Sequence, residues 1–118
     1  MNIMVLGHTG FIGQNLFKRL AEEGHDVIGA SRTSGVNILD YHAIKNHIDV
    51  YKPDVIYNVA SHGGSMRYVR DFAADVISDN LQMCLNVYRA INELNYDTKV
   101  IQPFSNCSYP GDSSVQYE

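Results

Sequence analysis

Glycines at positions 7, 10 and 13 stand between an apolar run, Ile3-Met4-Val5-Leu6, and a helix-like segment that opens at Gln14-Asn15-Leu16. This order commits the front of the chain to a strand, a tight turn and a helix start. Gly7 suits the turn, Gly10 lets a ligand approach the backbone, and Gly13 lets the helix pack against the strand. A helix N-terminus carries unsatisfied N–H groups and the positive end of the dipole, so the corner suits an anion such as a pyrophosphate. The glycines are spaced three and three, whereas the common dinucleotide fingerprint has its first two glycines two apart. Its context (strand before, helix after, a second strand about twenty residues on) is what a lone glycine repeat lacks.

Apolar periodicity extends this pattern along the chain. Phe11 to Glu23 reads as a helix with Ile12, Leu16, Leu20 and Ala21 on one side, and Gly24 ends it. Asp26 to Ala30 reads as a strand, Ser31 to Gly35 as a short polar link, and Val36-Asn37-Ile38 as a brief further strand. Asp40 caps a helix from Tyr41 to about Val50 that carries Ile44 and Ile48. Beyond Pro53, Asp54 to Ala60 is the largely apolar kind of strand that is covered on both faces. His62-Gly63-Gly64-Ser65 reads as a loop. One long helix is then expected from Val69 to Leu94, with Ala73, Val76, Ile77, Asn80, Leu81, Cys84, Val87, Tyr88 and Ile91 on its inward stripe. Asn80, polar within that stripe, calls for hydrogen-bond partners and support of nearby backbone. Val100-Ile101-Gln102 begins a last strand. The alternation predicts the α/β class: an open, Rossmann-type parallel sheet with helices on both faces and its ligand loops along one edge.

Composition narrows the function classes. At 118 residues the chain has single-domain size, and its net charge of −4 argues against a nucleic-acid partner. No run approaches the roughly 20 apolar residues of a membrane span. Met1 runs directly into a strand without room for a signal peptide, so a cytoplasmic location and no membrane partner are expected. Cys84 and Cys107 lack metal-ligand spacing; no metal site is expected, and the pair reads as reduced thiols, with a structural disulfide as the alternative.

The end of the second strand bears on the choice of dinucleotide. A carboxylate there would hold a ribose 2′-hydroxyl and favour NAD, while an arginine accommodates the 2′-phosphate of NADP. The chain reads Ala30-Ser31-Arg32, so Ser31 can donate a hydrogen bond and Arg32 can pair with a phosphate. NADP is expected, with NAD as runner-up.

Four stretches together resemble the extended short-chain dehydrogenase/reductase family, whose members remodel nucleotide-linked sugars. They are Gly7-His8-Thr9-Gly10-Phe11-Ile12-Gly13, Pro53 through Ser61, Asn80 through Asn86, and Ser105-Asn106-Cys107-Ser108-Tyr109-Pro110. Within the family the likeness leans toward the GDP-sugar epimerase/reductases. The resemblance implies that Gly7, Thr9, Gly10, Phe11, Ile12 and Gly13 cradle the pyrophosphate, and that Arg32, with Ser31, faces the 2′-phosphate. It further implies Asn37 at the adenine amine, Ile38 against the adenine, and Ala60 and Ser61 along the cofactor. Ser105 falls at the catalytic serine or threonine, and Cys107 at a cysteine that assists epimerisation. Each also has a chemical meaning: a hydroxyl at a strand end can donate to a ketone oxygen, and a thiol beside it can move a proton at the neighbouring carbon. Two departures from the family pattern are Asn106, in place of a serine, and Gln102-Pro103, which must break the last strand beside Ser105.

The resemblance implies a nucleotide-linked sugar as substrate, hydride transfer at its C4, and a homodimer in the full-length form. The family's acid–base tyrosine and lysine form a Tyr-x-x-x-Lys pattern beyond Glu118. Tyr41-x-x-x-Lys45 matches it only by spacing and reads as surface. The expectation is therefore that residues 1–118 are the N-terminal portion of an NAD(P)-binding domain, with the sheet incomplete on its C-terminal side and the substrate domain absent. Such a portion would bind a dinucleotide without turnover. A sugar 4,6-dehydratase, a 4-epimerase or a non-catalytic dinucleotide-binding module are the alternatives.

Overall fold

The structure, a computed structural model, describes residues 1–105. Four parallel strands form one sheet: β1 (Asn2–Leu6), β2 (Asp26–Ala30), β3 (Val55–Asn58) and β4 (Lys99–Ile101), in the order β2-β1-β3-β4. Helix α1 (Phe11–Glu22) joins β1 to β2, and α2 (Tyr41–Tyr51) carries the chain back across β1 to β3. Two further helices, α3 (Met66–Asp71) and α4 (Ala73–Leu94), lead to β4. The connections reverse direction at β1, so a crevice opens between the carboxyl ends of β1 and β3, where ligands bind in such sheets.

The two-residue period of β1 builds a core on each face. Met4 and Leu6 point toward α2 and α4, where they meet Ile44, Ile48, Val87 and Ala90. Ile3 and Val5 point the other way, onto Leu16, Phe17 and Leu20 of α1. Helices thus cover both faces, and the Rossmann-like architecture follows from burying both sides of a strand that is apolar from Ile3 to Leu6.

Three expectations need correction. Residues 36–38 form no strand, because Gly35 takes a left-handed φ of 84° and the Asn37 side chain accepts from the Leu39 amide, turning the chain. Ile38 is instead buried in the core by its side chain. The long helix begins earlier than Val69, at Met66, with the Ser65 hydroxyl capping the Tyr68 amide, and it breaks at Phe72. The inward stripe is also rotated. Val87 and Ile91 pack inward as expected, but Ala73, Ile77, Leu81 and Tyr88 are exposed, and Met83, Asn86 and Ala90 face inward in their place. The helix has apolar residues on two sides, and only the contact with the sheet and α2 decides which is buried. Asn86 is the inward polar residue the pattern missed: its amide donates to the carbonyls of Ile38 and Leu39, at 2.9 and 3.1 Å, and ties that turn to α4.

Candidate functional site

A cavity of about 620 Å³ lies along the carboxyl edge of the sheet. The glycine loop forms its centre. Gly7 adopts φ +78°, and a Cβ there would lie 2.7 Å from the Ala60 Cα on the neighbouring strand's extension. At Gly13 a Cβ would stand 2.1 Å from the Gly7 carbonyl oxygen, so α1 can lie against its own loop only without a side chain. These close approaches keep the turn tight and aim the first turn of α1 at the cavity.

Like α4, which follows Phe72, α1 begins without a side-chain cap. Asp40 caps α2 and Ser65 caps α3 by side chain, but Gly10 at the start of α1 supplies no side-chain acceptor, and no acidic residue lies in the turn. Its N–H groups and the positive end of the dipole are left for an outside anion.

On the β2 side the cavity is bounded by Ser31, Arg32, Thr33, Asn37 and Ile38. Ser31 opens a short 3₁₀ turn with a reciprocal capping box: its hydroxyl contacts those of Thr33 and Ser34, at 2.9 and 3.4 Å, and its amide donates to Ser34 Oγ. Thr33 donates onward to the Thr9 hydroxyl at 3.4 Å, linking this turn to the glycine loop. Among the described residues no carboxylate lies within ion-pair distance of Arg32. Its guanidinium is exposed and free to meet a phosphate.

On the β3 side the wall is Val59, Ala60, Ser61, His62 and Gly63, with Asp79 and Met83 of α4 behind them. Asn80 meets the expectation set by its polar position. Its Oδ1 accepts from the His62 amide and its Nδ2 donates to the His62 carbonyl, both at 2.8 Å. One side chain therefore fixes both ends of a peptide segment on the cavity wall.

The sequence-predicted residues Gly7, Thr9, Gly10, Phe11, Ile12, Gly13, Ser31, Arg32, Asn37, Ile38, Ala60 and Ser61 all line this cavity. Thr33, Leu39, His62, Gly63, Asp79 and Met83 line it too and were not singled out as cofactor residues. Thr33 was discoverable from its place beside Ser31-Arg32; Asp79 was not, since its role depends on how α4 crosses the sheet. Ser105 follows β4 on the same sheet edge, is exposed, and is not part of the cavity lining. Cys107 lies outside the described residues.

Tyr41 and Lys45 sit away from the cavity and fasten α2 to α4. The Tyr41 hydroxyl and Lys45 Nζ, the latter at 3.0 Å, both bind Glu93 Oε2, and Arg89 bonds Glu93 Oε1 at 3.0 Å while stacking 4.0 Å from the Tyr41 ring. These donors, the Tyr41 hydroxyl foremost, pull the Glu93 carboxyl down to about 2.

With the cradle in place, comparison with known proteins is decisive at the level of family. Residues 3–118 match the model of the NAD dependent epimerase/dehydratase family. The chain belongs to this family. A GDP-L-fucose synthase of Escherichia coli strain K12 is 24% identical over 108 residues, 92% of this chain and 33% of that protein. Protein CapI of Staphylococcus aureus is 26% identical over 138 residues, 98% of this chain and 39% of the relative. Among solved structures, a GDP-mannoheptose C4 reductase from Campylobacter jejuni with NADP bound superposes with a TM-score of 0.84, at 22% identity, covering 99% of this chain and 37% of that one. The chain thus spans about a third of the length of the curated relatives it matches. Among the described residues no helix is long and apolar enough to cross a membrane, and no group of side chains is arranged to hold a metal ion.

Proposed function

We propose that this chain is the NADP-binding part of a nucleotide-sugar epimerase/reductase acting on a GDP-linked sugar. The observation that carries the reading is an uncapped α1 N-terminus in one cavity with Arg32 at the β2 end, which no carboxylate among the described residues pairs. The fit to a dinucleotide is physical. The first turn of α1 offers N–H donors to a pyrophosphate, Gly7 and Gly13 hold that turn where a side chain would intrude, and no carboxylate follows β2 to repel a 2′-phosphate. Ser31 and Thr33 supply hydroxyls beside Arg32. Ile38 and Asn37 would border the adenine, and Ala60 and Ser61 would line the path toward the nicotinamide.

The bound cofactor would supply or accept a hydride at the sugar C4. This chain's residues orient it and keep its phosphates fixed. Ser105 would donate its hydroxyl to the C4 oxygen, and Cys107 would move a proton at the carbon beside the resulting ketone. The reading assigns the sugar-binding part and the acid–base Tyr-x-x-x-Lys pair to the portion of the relatives' length that this chain does not match. A homodimer is supported by the row of exposed Ile77, Leu81, Leu85 and Tyr88 on α4, and a cytoplasmic setting by the nucleotide-linked substrate.

Titration of the chain with NADPH and NADH tests the proposal. NADPH is expected to bind at least tenfold more tightly, a preference that Arg32→Ala abolishes by removing a charge-assisted pair. Equal affinities would overturn the NADP assignment, and binding of neither would overturn the cofactor site.

A further inference from the structure

His62 is held more firmly than a loop residue beside two glycines needs to be. Besides the Asn80 clamp on its backbone, its ring bridges two helices: Nδ1 lies 2.8 Å from Asp79 Oδ2, and Nε2 lies 2.8 Å from the Tyr68 hydroxyl. A carboxylate only accepts, so Nδ1 carries the proton toward Asp79; in the neutral ring Nε2 then takes the proton of Tyr68. The result is a file, Tyr68–His62–Asp79, that ends at the cavity wall.

Asp79 is the only carboxylate among the described residues lining the cavity. That is an odd choice for a pocket otherwise suited to phosphates, because an anion there repels them. It makes sense where the ligand presents hydrogen-bond donors instead. Only Oδ2 of Asp79 is engaged among the described residues, which leaves Oδ1 free to accept. The topology gives this end an address. Arg32 follows β2 and His62 follows β3, and these strands flank β1, so the positive and negative groups lie on opposite sides of the glycine loop. An NADP molecule has the same polarity: one ribose bears a 2′-phosphate, which only accepts, and the other bears two free hydroxyls, which donate.

We propose that Asp79, oriented by His62 and Tyr68, accepts hydrogen bonds from the vicinal hydroxyls of the unphosphorylated ribose, so that the charge polarity of the cavity sets the direction in which the dinucleotide lies. The proposal rests on the dinucleotide reading above, and asks more of it. His62 and Tyr68 are positioning residues, and Asp79 is the one that touches the ligand.

Calorimetric titration with two probes separates the outcomes: NADPH, which has both riboses, and adenosine 2′,5′-bisphosphate, which lacks the unphosphorylated one. If the wild-type chain binds neither, the dinucleotide reading fails. If it binds both, Asp79→Asn is expected to weaken NADPH about tenfold and leave the bisphosphate unchanged, the second probe also reporting that the variant is folded. Unchanged NADPH affinity, or an equal loss for both probes, overturns the assignment of Asp79. His62→Ala should reproduce the selective loss. His62→Asn, whose amide can replace Nδ1 as donor to Asp79, should recover most of it, and no recovery refutes the positioning role of the ring.

Discussion

Replacing Asn80 by alanine gives the sharpest test of how the cavity wall is held. The side chain makes three hydrogen bonds at 2.8 Å, to the amide and carbonyl of His62 and to the Val76 carbonyl. The Val76 carbonyl keeps its own helix amide partner, so its loss costs little. The two bonds to His62 are different, because that backbone belongs to no helix or strand and is only partly open to water. At about 1 kcal/mol for each net bond, and somewhat more for a polar group left shielded, Asn80→Ala should lose about 2–3 kcal/mol. That is a large share of the roughly 5–15 kcal/mol that stabilises a domain. With a urea m-value of about 1–3 kcal/mol/M, the unfolding midpoint should fall by about 0.7–3 M. NADPH affinity should fall with it, since His62 and Gly63 lose their fixed place on the wall. Asn80→Asp separates shape from chemistry: it keeps the acceptor for the His62 amide but turns a carboxylate oxygen toward two carbonyls. It should cost at least as much as alanine. A midpoint within about 0.3 M of wild type for either variant would refute the clamp.

Other consequences follow from particular contacts. Gly13→Ala would place a methyl 2.1 Å from the Gly7 carbonyl oxygen, so the loop must shift; a loss of about 1–3 kcal/mol and of measurable NADPH binding is expected in urea unfolding and titration. A Cβ at Gly29 would fall 2.3 Å from the His8 ring, so Gly29→Ala should destabilise by a similar amount, and adding His8→Ala should restore much of it; an additive double mutant would show that the ring is not the obstacle. Burial holds the His47 ring below its ordinary 6.5, with the Gly29 backbone working weakly the other way. The unfolded chain therefore binds the extra proton first, and stability should be lost as pH falls through about 6.5, a slope that His47→Gln flattens in urea titrations at several pH values. Glu93, drawn down to about 2 by Tyr41, Lys45 and Arg89, works in a lower window: its contribution is present above its usual 4.5 and is lost as pH falls from there toward 2. Glu93→Gln should remove that acid dependence.

Much of the cradle was legible because it is local. The strand, glycine turn and α1 lie within adjoining residues, and close packing of Gly7 and Gly13 follows from their spacing. The Asp40 cap and both buried residues of α2 were equally plain, since a cap and an i,i+4 pair need no distant partner. Asn80 was readable as a supported polar position, although not which backbone it would hold. The break at Phe72 was hidden, because the residue is neither glycine nor proline. There Phe72 leaves helical geometry, at φ −121° and ψ 34°, while its amide still donates to the Tyr68 carbonyl.

By itself, then, the sequence determined the order of the four paired strands, a parallel sheet covered on both faces, and a tight glycine corner at its front. Local rules of backbone freedom, capping and apolar period suffice for those. Tertiary structure alone decided that α4 turns Asn86 inward and Ile77 outward, and that His62 and Asp79 meet at the cavity wall. Those outcomes join residues distant in sequence, and only the packing of α4 against the sheet, α2 and the loop after β3 brings such groups within hydrogen-bonding reach.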